Sequence, residues 1–108
     1  MTVWEIHPSA EEELEEVADY YLGIDAELAQ SFDQHYRHYR QLICEMPLLY
    51  NLRLRGTRRV NLLPRFGEYY IAYMIWLEKV IILAVAHAKR RPYYWRDRIT
   101  QAKELFNP

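Results

Sequence analysis

The stretch HAKRRPYYWRDR, residues 87–98, concentrates the side chains that could do chemistry. Five of its twelve residues are Lys or Arg, one is His and three are aromatic. Lys89, Arg90 and Arg91 are consecutive, and like charges packed together cost free energy unless a partner of opposite sign takes them up. They follow directly on VIILAVA, residues 80–86, a wholly apolar run. A buried strand in that position would hold the cations rigidly in front of an acidic partner. His87 adds an imidazole whose ordinary pKa of about 6.5 permits proton transfer without requiring it. Tyr94 adds a phenol, and Arg65, upstream, a further cation. A plainer alternative packs Tyr93, Tyr94 and Trp95 as a last helical turn on the sheet and leaves the charges to solvent.

The charge distribution favours a partner. The net charge is −1, yet residues 1–50 hold eleven carboxylates against two arginines, and residues 51–108 hold twelve cations against four carboxylates. Either the two halves neutralise one another across the fold, or the second half offers a basic surface to something acidic. One cysteine, Cys44, rules out an internal disulfide and fits a reducing compartment. The opening MTVWEIHPSAEEE lacks the basic and apolar regions of a signal peptide. The apolar runs at 69–77 and 80–86 fall short of the roughly 20 residues a membrane helix needs. A cytoplasmic chain with no membrane partner is expected. No motif calls for a cofactor. His35, Tyr36 and His38 lack accompanying ligands at metal spacing, so no metal is expected.

The elements that must position the cluster follow from periodicity. TVWEIH, residues 2–7, reads as a strand stopped by Pro8. Ser9 and Glu12 form a capping-box pattern, with Glu11, Glu12 and Glu13 in the first turns, where the helix dipole favours them. Leu14, Val17, Ala18 and Tyr21 recur at helical spacing, so the first helix should run over 9–22, with a solvated acidic face and a left-handed C-cap at Gly23. Asp25 should cap a second helix, in which Leu28, Phe32, His35, Tyr39, Leu42, Ile43 and Met46 recur at three- and four-residue steps and which Pro47 closes. A loosely extended connection over 47–59 leads to strands at 59–64, 68–77 and 79–87, the last two joined by a turn at Glu78–Lys79.

This order predicts an α+β fold in one domain over 1–108. An N-terminal strand and an antiparallel helical hairpin would pack on a mostly antiparallel sheet of about four strands, with a short C-terminal helix. Both faces of the last strands are apolar, and a helical hairpin hides only one. For the other face the chain supplies only its C-terminal residues, 93–106, so another chain should bind there.

Four stretches in this order carry a resemblance: WEIHPSAEEELEEVADYY, GTRRVNLLPRF, YYIAYMIWLEKVIILAVAH and HAKRRPYYWRDR. Over about residues 3–99 the chain resembles the RelE/ParE superfamily of bacterial toxins from type II toxin–antitoxin modules. The ending is similar to that of ParE-like plasmid-stabilisation proteins. The resemblance implies a growth-inhibiting toxin neutralised by a cognate acidic antitoxin, with operator DNA bound only through that antitoxin. It also implies one of two targets, DNA gyrase for ParE-like members or ribosome-bound mRNA for RelE-like ones. RNA cleavage needs a base, an acid and cations for the phosphorane charge. That reading makes His87, Arg65 and Tyr94 the catalytic candidates. Otherwise Lys89, Arg90, Arg91, Tyr93, Trp95 and Arg98 form a target- or antitoxin-binding surface. In VNLLPRFGEYYIAY, leucines or Pro64 stand where RelE-like nucleases carry lysines, Tyr70 stands where they carry an arginine, and Arg65 is off register. This departure favours the ParE-like reading, with a toxin that only co-binds antitoxin and operator as a further alternative.

Overall fold

The computed structural model describes residues 2–108. Strand β1 (Trp4–Ile6) leads into helices α1 (Pro8–Leu22) and α2 (Ala26–Glu45). Strands β2 (Thr57–Leu62), β3 (Phe66–Trp76) and β4 (Lys79–His87) follow, and helix α3 (Arg98–Leu105) closes the chain. The sheet order is β1-β4-β3-β2. β1 runs parallel to β4, and the other pairings are antiparallel. The α+β expectation is borne out, with strand bounds shifted by about two residues at β2 and β3.

Local signals place the helices. The first cap is His7 rather than Ser9: its Nδ1 accepts the Ser9 N–H at 3.0 Å. Pro8 then fills the first helical position, where a missing N–H costs nothing. His7 can serve because Gln101 of α3 holds its other ring nitrogen at 2.8 Å. Gly23 is right-handed (φ −65°), not left-handed, and its N–H still closes on the Asp19 carbonyl at 3.0 Å. Asp25 caps α2 as expected, accepting the Glu27 N–H at 3.1 Å. The β3–β4 turn lies at Leu77–Glu78 rather than Glu78–Lys79. Both turn residues have positive φ (51° and 64°), as a two-residue hairpin that follows the sheet's twist requires.

Two cores flank the sheet. On one face Val17 and Tyr21 of α1 and Phe32, Tyr36 and Ile43 of α2 pack on Phe66, Ile71, Tyr73, Ile82 and Val85. On the other face lie Tyr70, Ala72, Met74, Ile81, Leu83, Ala84 and Ala86. That face is covered not by another chain but by this chain's own Trp95, Ile99 and Ala102. The alanines keep the sheet surface low, so that α3 and an indole come close. Trp95 Nε1 donates to the Tyr70 hydroxyl at 3.1 Å, which satisfies the one polar atom the ring buries.

Candidate functional site

The site begins with a strand that is too short. β1 pairs with β4 only as far as Ile82, and the edge of β4 beyond it has no strand beside it. Unpaired backbone groups at a buried edge must find other partners. The Val85 N–H donates to Glu13 Oε1 at 3.2 Å, and the Leu83 carbonyl accepts from Arg98 at 3.0 Å. Arg98 also grips both oxygens of Glu13, at 2.8 and 3.2 Å. The Tyr94 hydroxyl donates to Glu13 Oε2. Arg90 reaches the same oxygen at 3.3 Å, with its guanidinium 3.8 Å from the centre of the Tyr94 ring. One carboxylate on α1, only 8% exposed, thus ties the sheet edge to three residues of the segment after β4.

The chain geometry that allows this lies at Tyr93, whose backbone is left-handed (φ 58°). The turn there lets Tyr94 reach Glu13 while Trp95 drops into the second core. Beside the clasp lies an open cleft of about 210 Å³, lined by Glu16, Val17, Tyr20, Tyr69, His87, Arg90 and Tyr94 as well as Glu13. His87 stands at the end of β4, with its ring edge-on to Tyr69 at 4.9 Å. Its Nδ1 accepts the Lys89 N–H at 3.0 Å. Burial, reinforced by the hydrogen bond to Glu13 and its charge, pushes the Tyr94 phenol above its ordinary pKa. It therefore keeps its proton and shares it with Glu13, which makes it a poor acid for a leaving group.

The residues singled out in the sequence separate into three groups. His87, Arg90 and Tyr94 meet in the cleft. Lys89 and Arg91 flank Arg90 in the chain and lie exposed, in no ion pair among the described residues. Trp95 is buried and Arg98 recessed, so both act as anchors with little surface to offer a partner. Tyr93 stacks edge-on to Trp95 at 5.6 Å. With Arg53, Arg59 and Pro92 it lines a second cleft of about 250 Å³ on the opposite side of the segment. Arg65 joins none of these groups. It sits in the β2–β3 turn and donates to Ser31 Oγ of α2 at 3.2 Å.

Glu13 is the residue that sequence reasoning missed, having been counted with the acidic first turns. A signal was present: the buried stripe of α1 is Ala10, Glu13, Val17 and Tyr21, at steps of three and four. A carboxylate within an inward-facing stripe calls for a partner.

A helical hairpin on one face of a mixed sheet, and a basic aromatic tail clasped to the other, define a small α+β protein of the toxin type that the four sequence stretches resemble. The family described as "ParE toxin of type II toxin-antitoxin system, parDE" matches residues 4–92, and the chain belongs to it. The match stops before Tyr94, Trp95 and Arg98, the residues that close the clasp. Comparison with curated proteins finds no match. Membership makes the chain the toxin component of a toxin–antitoxin module and implies a cognate antitoxin as partner. Among the described residues no helix is long and apolar enough to cross a membrane.

Proposed function

We propose that this chain inhibits bacterial growth in the cytoplasm, in the manner of a plasmid-stabilisation toxin, by poisoning DNA gyrase. Lys89, Arg90 and Arg91 form the contact surface, and an acidic antitoxin silences it. The observation that carries this reading is the commitment of the nuclease candidates. Tyr94 donates its hydroxyl hydrogen bond to Glu13, and Arg65 is bonded to Ser31 of α2 and does not line the cleft that holds His87. An acid, a base and phosphate clamps converging on one atom are what RNA cleavage needs, and the ties of Tyr94 and Arg65 to other partners weigh against that set. What stays free is the charge of Lys89 and Arg91, exposed on either side of Arg90 in the chain. Cations of that kind suit an acidic protein or protein–DNA surface.

A second reading has one observation in its favour: His87, Arg90 and Tyr94 share a cleft. It makes the chain a metal-independent, ribosome-dependent endoribonuclease. The two separate by assay. Purified protein should inhibit supercoiling by gyrase and leave ribosome-bound mRNA intact, and pulse labelling after induction without antitoxin should show DNA synthesis stopping before protein synthesis. Cleaved mRNA with supercoiling untouched would overturn the gyrase reading.

A further inference from the structure

We infer that Glu13 is a positioning residue for the gyrase contact, holding the basic segment after β4 in the pose that meets the target; the inference rests on the function proposed above. Residues 88–92 belong to no helix or strand. Their backbone is held at a few points: Ala88 N–H on the Glu68 carbonyl at 2.7 Å, Arg90 N–H on the His87 carbonyl at 3.0 Å, Lys89 N–H on the His87 ring, and the Arg91 carbonyl, which accepts the Tyr94 N–H at 3.2 Å. The side chain of Arg90 is fixed from below by Glu13 and stacked on Tyr94. Lys89 and Arg91, its sequence neighbours, are thereby set on a rigid base.

Stability alone does not account for such a group. A buried ion pair contributes no more than well-packed apolar side chains of similar size, because both charges must first be stripped of water. The Glu13 and Arg98 side chains are 10% and 15% exposed, too recessed to be the main contact themselves. What this pair supplies, and an apolar pair would not, is a directed charge. It draws Arg90 inward and offsets the repulsion within the Lys89–Arg91 run, leaving one geometry in place of many. Ordering such a segment in advance removes the entropy cost of ordering it on binding.

The test replaces the pair with neutral groups. Glu13→Gln together with Arg98→Met leaves no unpaired buried charge and keeps an acceptor for the Val85 N–H; Glu13→Gln alone is run beside it. Three quantities are read on the full chain: near-ultraviolet circular dichroism for the folded fraction, hydrogen exchange over residues 88–97, and inhibition of gyrase supercoiling per folded molecule. The expected result is a native spectrum, faster exchange confined to 88–97, and potency lower by about tenfold. Full potency per folded molecule overturns the inference. Loss of the native spectrum in both variants also overturns it, since Glu13 would then be a folding determinant. Lys89→Ala with Arg91→Ala separates the two levels. If that variant inhibits gyrase as well as the unaltered chain, the gyrase-contact reading itself fails. If it loses potency while the neutral pair does not, only the role of Glu13 fails.

Discussion

Two arginine-bearing segments leave regular elements in this fold, and they are built in opposite ways. Residues 87–98 leave β4 and are tied down at once. Trp95 enters the second core, Glu13 collects Arg90, Tyr94 and Arg98, and His7 reaches Gln101 of the helix that follows. Residues 46–56 leave α2 and are tied mostly through their backbone carbonyls. The Tyr73 hydroxyl donates to the Pro47 carbonyl at 2.8 Å, Arg58 donates to the Tyr50 carbonyl, and the Arg53 N–H meets the Thr57 carbonyl at 2.7 Å. Met46, Leu48, Leu49 and Leu52 remain exposed. The first segment turns its aromatics inward and its charges outward; the second leaves its leucines in water. A buried carboxylate and one indole, rather than regular secondary structure, make the difference.

The most drastic way to break the contrast is Trp95→Ala. It empties a site in the second core and leaves the Tyr70 hydroxyl without its donor, and the expected cost is about 3–5 kcal/mol. Chemical denaturation measures it; a loss under about 1 kcal/mol would mean that the segment is held elsewhere. A gain is expected at the opposite end of the sheet. Leu77 and Glu78 both occupy left-handed backbone, which suits Asn and Gly far better. Leu77→Asn with Glu78→Gly should raise stability by about 1 kcal/mol without touching either segment.

Acid sharpens the comparison. Burial lowers the pKa of His7, with Arg98 acting in the same direction and the Gln101 hydrogen bond and Glu13 opposing. A base whose pKa falls on folding stabilises the fold above its unfolded value and loses that contribution as pH drops through the folded one. Stability should therefore decline as pH falls below about 6.5, and α3 should lose hydrogen-exchange protection before α2 does. In His7→Asn, which retains a capping side chain, this component of the pH dependence should vanish. The smallest effect is expected in the loosely held segment. Leu48→Asp and Leu52→Asp should each change unfolding free energy by less than about 0.5 kcal/mol, because neither side chain leaves water on folding. A larger loss in denaturation would show that the leucines pack more than their exposure suggests.

Much of the fold was legible because it rests on local rules. Helical spacing in 14–21 and 28–46, the Asp25 cap, and the apolar runs of β3 and β4 each act within a few residues, and each appears where expected. Two errors, at the α1 cap and at the second sheet face, arose where distant partners intervened. Ser9 lost its capping role because Gln101, 94 positions from His7, steadies the imidazole that caps instead. The second sheet face seemed to need another chain because periodicity does not say where residues 93–106 go.

The candidate site divides along the same line. The amino-acid sequence by itself determined that a rigid apolar strand would run into a dense cationic segment and that the chain carries the motifs of a toxin family. Composition and order along the chain suffice for both. Only the tertiary structure decided which of those cations are free. Glu13 lies some eighty positions from Arg90, Tyr94 and Arg98, and a charge selects its partner by distance in space. Once β1 stopped at Ile6 and exposed the edge of β4, the nearest carboxylate filled the gap. That choice consumed the phenol and Arg98, and tied Arg90 while leaving its side chain half exposed.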